Sequence, residues 1–472
     1  MNLERICLIA SLTATVAGCA AVYRAEEVQK ALAPKAVGTA EDAVWCDLAD
    51  YSVREYVDFA MTNRPEVVSA SIAVERERAA MKELEADAPL VSTTPWKAPK
   101  VAASIGRSES SDRSHHIRGD THGGASGSLS LNLLVYDFGR HDAKVAKQAE
   151  SVIAAELQLV KEGYRVFDEV ASAYFQLREK DALLAAAKTN EFEYSVHLRR
   201  IEDELEVGEA KALDLVRARL DLATACERTV TASNDVIAAV AGFKRALGIE
   251  ASRSAREEVF AADENPLVWL YRAFPVTACR ADAAMDAART NAPALAVARS
   301  RLRAAASQVD YAKADLLPSV NATVSLNWTD PLWYWQWGYS ATETIFQGGR
   351  KVAALDRAVL EMESAAAAVD TAEHELALEI ELAVAERNDA AKARETAAAS
   401  LKQAKDNLEL VRSRYELGDA SRVDYTSAVA AYAAALGGRV SAFYRAQRAE
   451  VKLFALVGRF PVYREDKVKE LK

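Results

Sequence analysis

The run Arg350–Leu417 reads RKVAALDRAVLEMESAAAAVDTAEHELALEIELAVAERNDAAKARETAAASLKQAKDNLELVRSRYEL, and neither proline nor glycine interrupts it. Gly349 precedes it and Gly418 follows it. Its helix-forming composition predicts one helix over 349–417, which at 1.5 Å per residue would reach roughly 100 Å. That length is far beyond any compact domain, so the chain has to be built around long helices. The same design stands upstream. Gly139–Gly208 contains no proline and one interior glycine, Gly163, and predicts a helix over 139–207. Within it Leu157, Val160, Tyr164, Phe167, Ala171 and Tyr174 lie alternately three and four residues apart, the seam of a coiled coil. After each terminal glycine another helix returns, over 210–247 and over 420–457. Gly208 and Gly418 read as the reversals.

The two halves are copies in register. An offset of 210 residues carries Tyr136-Asp137-Phe138-Gly139-Arg140 onto Phe346-Gln347-Gly348-Gly349-Arg350. It also carries Val207-Gly208-Glu209-Ala210 onto Leu417-Gly418-Asp419-Ala420, Asp214 onto Asp424, and Ala246-Leu247-Gly248 onto Leu456-Val457-Gly458. Asn63-Arg64-Pro65 recurs as Asn291-Ala292-Pro293; Pro89 follows the first of these prolines by 24 residues and Pro318 the second by 25. The chain is a tandem duplication. Its repeats are 50–248 and 278–458, joined by a linker over 249–277 and followed by a tail over 459–472.

Between the second proline of each repeat and its Gly-Arg the period changes to two. Val320, Ala322, Val324, Leu326 and Trp328 alternate with Ser319, Asn321, Thr323, Ser325 and Asn327. In the first repeat Leu129, Leu131, Leu133 and Val135 alternate with Ser128, Ser130, Asn132 and Leu134, and Val101, Ala103 and Ile105 begin the partner strand. Two β-hairpins are predicted, over about 100–136 and about 319–346. One apolar and one polar face over about ten residues is how a membrane barrel strand reads. Trp328, Trp333, Tyr334, Trp335, Trp337 and Tyr339 bracket the turn at Asp330-Pro331, like an interfacial aromatic belt. A soluble hairpin packed on the helices is the alternative. In lipid, four strands cannot close a barrel and an open edge is not tolerated, so the chain has to oligomerise.

Composition narrows the function. The 472 residues carry 59 basic and 69 acidic side chains, a formal net charge of −10, which argues against a nucleic-acid partner. With 19 glycines and 11 prolines the chain is too poor in turn residues for an all-β fold, and five cysteines cannot build a disulfide scaffold. Cys46, Cys226 and Cys279 are too widely spaced for a metal cluster. No phosphate-binding loop, nucleophile elbow, His-Glu-x-x-His or zinc-spaced cysteines occur, so no enzyme is expected. The extra polar stretch Ser108–Gly124 holds His115, His116 and His122 at irregular spacing and reads as an extended extracellular loop, not a metal site.

The amino terminus is an address. Arg5 precedes an apolar run from Ile6 to Val16, of signal-peptide length and too short to span a membrane. Val16-Ala17-Gly18-Cys19 closes it and looks like a lipoprotein signal, with 1–18 removed, Cys19 lipidated and 19–49 a lipid-anchored segment. Ala20 lacks the aspartate that would favour the inner membrane, so an outer-membrane destination follows. An ordinary secretory signal with an incidental cysteine is the alternative.

The paired Asn-x-Pro segments, Pro89 and Pro318, the two strand-to-helix junctions and the Arg414-Tyr415-Glu416-Leu417-Gly418-Asp419 tip resemble the bacterial outer-membrane efflux proteins, the TolC-like family. The resemblance covers roughly 45–460. It implies a mainly α fold with a small β part. Long-helix coiled coils would form a trimeric periplasmic α-barrel, and four strands per chain would complete a twelve-stranded transmembrane β-barrel. It further implies a homotrimer, a periplasmic adaptor and an inner-membrane transporter as partners, and a passive duct without cofactor. By the family pattern, Val207, Gly208, Glu209, Ala210, Leu417, Gly418, Asp419 and Ala420 are adaptor-docking tips. Asp424 matches the acidic constriction of some members, although Ser427 stands where a further acid is sometimes found. Tyr415 matches a tip tyrosine of the closed state, with Arg422 as its candidate partner.

The leading expectation is the exit duct of a tripartite efflux system for small molecules. A duct for protein or peptide secretion, or a lipid-anchored structural coiled coil without a pore, are the competing readings. Charged runs such as Glu202-Asp203-Glu204 read as solvated helix faces.

Overall fold

The computed structural model describes residues 53–90, 100–109, 123–208, 211–249, 281–329, 332–343, 347–417 and 419–458. The polar loop histidines, the hairpin turn at Asp330-Pro331 and Cys19 lie outside the described residues. Each repeat runs helix, helix, hairpin, long helix, return helix. In the first these are α1 (Val53–Asn63), α2 (Pro65–Ala86), β1 (Lys100–Glu109), β2 (Gly123–Tyr136), α3 (Arg140–Glu206) and α4 (Ala212–Leu247). In the second they are α5 (Ala281–Asn291), α6 (Pro293–Ala314), β3 (Ser319–Thr329), β4 (Leu332–Thr342), α7 (Arg350–Glu416) and α8 (Arg422–Val457). The long helices have 67 residues each and the return helices 36 each. No described helix is long and apolar enough to cross a membrane.

Local chemistry sets the joints. Arg64 and Ala292 each precede a proline, which disfavours helical backbone there, and both are extended (ψ 127° and 120°). The return helices end against these turns. Gly458 has φ +69°, and a β-carbon there would lie 2.5 Å from the Asn291 carbonyl oxygen. At the strand-to-helix junction two successive residues are left-handed: Phe138 (φ 55°) and Gly139 (φ 85°), matched by Gly348 (φ 60°) and Gly349 (φ 80°). A left-handed phenylalanine costs about 1 kcal/mol or more. The ring of Phe138 stacks at 4.7 Å on Tyr136, and the Asp137 carboxylate accepts the His141 N–H at 2.7 Å, holding that joint together.

Apolar burial is concentrated where the short helices meet the long ones. Tyr56 of α1 packs on Phe243 of α4 (ring centroids 5.0 Å) and Tyr174 of α3 (5.9 Å), with Phe167, Val170, Ala171 and Phe175 buried beside them. The second repeat uses smaller residues for the same purpose: Ala284, Ala288, Leu295, Leu376, Ile380, Ala383, Val384, Leu453 and Val457. Other apolar residues stay uncovered. On α7, Val352, Leu360, Leu378, Leu382 and Leu410 are all more than half exposed, and at about 100° per residue they share one stripe.

The hairpins do not stand apart. β2 pairs antiparallel with β3, giving one sheet in the order β1-β2-β3-β4. Register puts Leu129, Leu131 and Leu133 opposite Leu326, Val324 and Ala322, which in turn face Trp335, Trp337 and Tyr339. These share one face. Ser128, Ser130 and Asn132 meet Asn327, Ser325 and Thr323 on the other, where the Ser104 and Ser128 hydroxyls lie 2.8 Å apart and Thr323 Oγ1 donates to Asn132 Oδ1 at 3.2 Å. One expectation needs correction: a register shift between Leu134 and Tyr136 breaks the alternation before Val135. β4 ends at Thr342, and the Glu343 carboxylate takes the Lys351 ammonium at 2.6 Å; residues 344–346, the end of the expected second hairpin, lie outside the described residues.

Gly458→Ala should lower stability by about 1–3 kcal/mol, since left-handed backbone and a backbone clash coincide. The control is Gly438→Ala, at a helical position with open space around it, which should be neutral or stabilising by up to about 1 kcal/mol. Thermal unfolding followed by circular dichroism compares the two, and equal midpoints would show that the Asn291 turn yields.

Candidate functional site

Opposite the sheet, the long helices end in two exposed tips. Val207 and Leu417 are 77% and 79% exposed, the highest values of any large apolar residue apart from Tyr339 among those described. Gly208 turns the chain at φ +83°, and the Asp419 N–H returns to the Arg414 carbonyl at 2.8 Å. Glu209, Ala210 and Gly418 lie outside the described residues.

Both return helices begin with an acid at their third position, and the two acids have different partners. Ser421 Oγ accepts the Asp424 N–H at 3.1 Å, and the Asp424 carboxylate accepts the Ser421 N–H at 3.2 Å and its hydroxyl at 2.7 Å. This is a reciprocal capping box, placed where the helix dipole favours an anion. Asp424 therefore has a local structural job while its exposed position leaves its charge in solvent. Asp214 accepts the Lys211 N–H at 3.3 Å, but Lys211 has no side-chain acceptor to return the bond. Its carboxylate turns instead to Arg422.

Arg422 ties three helices together. Nη2 donates to Glu204 Oε2 of α3 at 2.5 Å, and Nη1 lies 3.1 Å from Asp214 Oδ2 of α4. The second contact is an ion pair by distance, though its N–H is not aligned for a hydrogen bond. All three side chains are about a quarter exposed or less, so each pair contributes on the order of 1 kcal/mol.

Tyr415 and Arg422, expected as candidate partners, have different described contacts. The Tyr415 ring stacks on Tyr425 of α8 (5.2 Å, 14°) and lies under the Arg200 guanidinium at 5.0 Å. His197 of α3 completes the cluster, 5.5 Å from Tyr425 and 6.4 Å from Tyr415. It is 8% exposed. Burial holds the His197 imidazole below the usual histidine range; Arg422 pushes the same way, while Asp221 and Glu204 oppose. Burial also pushes the Tyr425 phenol up. Sequence reading missed His197, Tyr425, Glu204 and Arg200. One signal was available: the repeat mates of His197, Tyr415, Arg422 and Tyr425 are Asn407, Leu205, Ala212 and Leu215, so the cluster sits where the duplication has diverged.

A four-stranded sheet with one apolar face, and duplicated long helices ending in exposed tips, define a protein of channel-forming architecture. The chain belongs to the outer membrane efflux protein family, whose model matches residues 57–249 and 284–459. No curated protein matches the sequence. Among solved structures it is similar to CusC, studied for transmembrane channel formation, with TM-score 0.74, 19% identity, and 87% of this chain and 92% of that one covered. It is also similar to the CmeC outer membrane channel of Campylobacter jejuni (TM-score 0.73, 20% identity, 90% of each chain). A third is the outer membrane protein VceC of Vibrio cholerae (TM-score 0.71, 18% identity, 86% and 96%). At these identities the likeness carries the fold, and the family is one of export proteins, not enzymes.

Arg422→Gln should free the second-repeat tip from α3 and α4. Amide hydrogen exchange should speed up several-fold in 197–208 and 419–428 while the buried segment around Phe167 and Phe243 stays unchanged. Unaltered tip exchange would remove Arg422 as the clasp.

Proposed function

We propose that this protein is the outer-membrane exit duct of a tripartite efflux system in a Gram-negative bacterium, passively conducting small molecules received from a periplasmic adaptor and an inner-membrane transporter. The observation that carries the reading is the open sheet. One face is apolar and exposed, with Trp333, Trp335 and Trp337 each more than half exposed, the other face is polar, and among the described residues β1 and β4 leave both edges unpaired. In water such a face would aggregate and such edges would recruit strands. In lipid the same face is at home, and the edges have to be satisfied by other copies. Three copies supply twelve strands, within the range of known barrels. The uncovered stripe on α7 supports the same assembly, as apolar surface for a neighbouring copy.

In that trimer the tips point into the periplasm and Val207, Gly208, Glu209, Ala210, Leu417, Gly418, Asp419 and Ala420 face the adaptor. Three Asp424 carboxylates around the axis would favour cations at the mouth. A lipid on Cys19 would hold the amino-terminal segment to the outer membrane. The efflux family supports an export duct over the pore-free reading.

Asp424→Asn tests the pore assignment without removing the cap, because the amide oxygen can still accept the Ser421 N–H. Purified protein in planar bilayers should show weaker cation preference and an unchanged melting temperature; identical selectivity would take Asp424 out of the mouth, and no current from wild-type trimers would favour a structural coiled coil. Cys19→Ser should abolish incorporation of labelled palmitate, and label equal to the parent's would reject the anchor.

A further inference from the structure

The tip cluster contains one group whose charge changes in the physiological range. His197 is buried between the repeats, under two tyrosines of the second repeat, and within reach of both signs of charge. We propose that His197 is a proton-operated latch on the tip: neutral, it packs against Tyr415 and Tyr425 and keeps α3 joined to α7 and α8; protonated, it releases them. The proposal rests on the duct reading for its consequence, which is a wider mouth in acid.

The groups facing His197 come from all four helices of the tip. Its own helix α3 supplies Arg200 and Glu204, α4 supplies Asp221, α7 supplies Tyr415, and α8 supplies Arg422 and Tyr425. Glu204 is already committed to Arg422, and Arg200 already lies over the Tyr415 ring. A proton on His197 thus adds a third cation where Arg200 and Arg422 already share Glu204 and Arg422 also holds Asp214. Of the acids that favour the charged ring, Asp221 is the one not already paired with Arg422 or Arg200 among the described contacts. The ring is also enclosed, so its charged form loses hydration that the open tip would restore.

The sign follows from the direction of the shift. The packed imidazole holds its proton less tightly than an exposed one, so packing is favoured above the ordinary histidine range. That advantage is lost as pH falls through the ordinary value towards the lowered one. A periplasm exposed to an acidic exterior would loosen the tip, and a neutral one would keep it latched.

The experiment uses the full-length chain with His197→Phe and His197→Gln, which cannot be protonated. Bilayer current is recorded from about pH 8 to about pH 5, the range in which histidine titrates. Wild type should gain open probability several-fold over this span, and both variants should stay near the wild-type level at neutral pH. Any pH effect arising outside this cluster acts on wild type and variants alike and cancels in their ratio. A rise shared by the variants, or a flat wild-type profile, overturns the latch. The second measurement is amide exchange in 197–208 and 412–426, compared with each variant at each pH. It reads the latch without current: if no preparation conducts, the duct reading fails, and the latch survives only if wild-type protection alone is lost in acid. His197→Gln keeps the test decisive should the phenylalanine overpack.

Discussion

Every β-strand at the margin of a sheet leaves a row of N–H and C=O groups without a partner strand, and among the described residues this sheet has two such margins. β1 and β4 bound a sheet whose interior strands come from different repeats. Duplication explains how this arises. A single hairpin has two edges and little apolar area. Two copies joined through β2 and β3 still have two edges, because joining sheets in a line never removes the ends. Only curvature into a ring does, and four strands are too few to curve that far. The polar face, the aromatic face and the long helices following each hairpin are intelligible under the proposed assembly, in which other copies would complete the ring.

Much of the helical framework could be read from punctuation. The observed limits Arg140–Glu206 and Arg350–Glu416 fall one residue inside the predicted 139–207 and 349–417, since left-handed Gly139 and Gly349 are the N-caps and Val207 and Leu417 the C-caps. The pairing of β2 with β3 could not be read. It joins Leu131 to Val324, and no spacing in the chain announces a contact across the linker. The bulge at Val135 was hidden for a related reason: a register shift answers to the partner strand, which the alternation of one strand does not reveal. At the tip, Asp424 came from the family resemblance, whereas no motif singled out His197. Its significance depends on Tyr415 and Tyr425, more than 200 positions away.

The two repeats have diverged unequally, and the divergence has a physical pattern. Near the short helices the first repeat packs aromatic rings and the second packs alanine, leucine and isoleucine. At the tip the order inverts: the second repeat supplies Tyr415, Arg422 and Tyr425 against Leu205, Ala212 and Leu215 in the first. A core tolerates either solution if volume is filled. A joint between unlike helices needs directional contacts, and guanidinium, carboxylate and ring faces supply them. At the tip the two unlike copies are joined by contacts of this directional kind.

That division bears on how such a tip could move. Three kinds of contact cross between the repeats there: the Arg422 pairs, the Arg200–Tyr415 contact and the enclosed histidine. The ion pairs are partly solvated and individually weak, so thermal motion alone would test them often. The apolar packing of the rings around His197 is the contact that does not weaken with salt, and it is the one a single proton can reverse. A joint secured by several small terms, one of them conditional on pH, can be firm at rest and still open without breaking any helix. Neither tip contributes to the cores around Phe243 and Leu453, so its release leaves the rest of the fold in place.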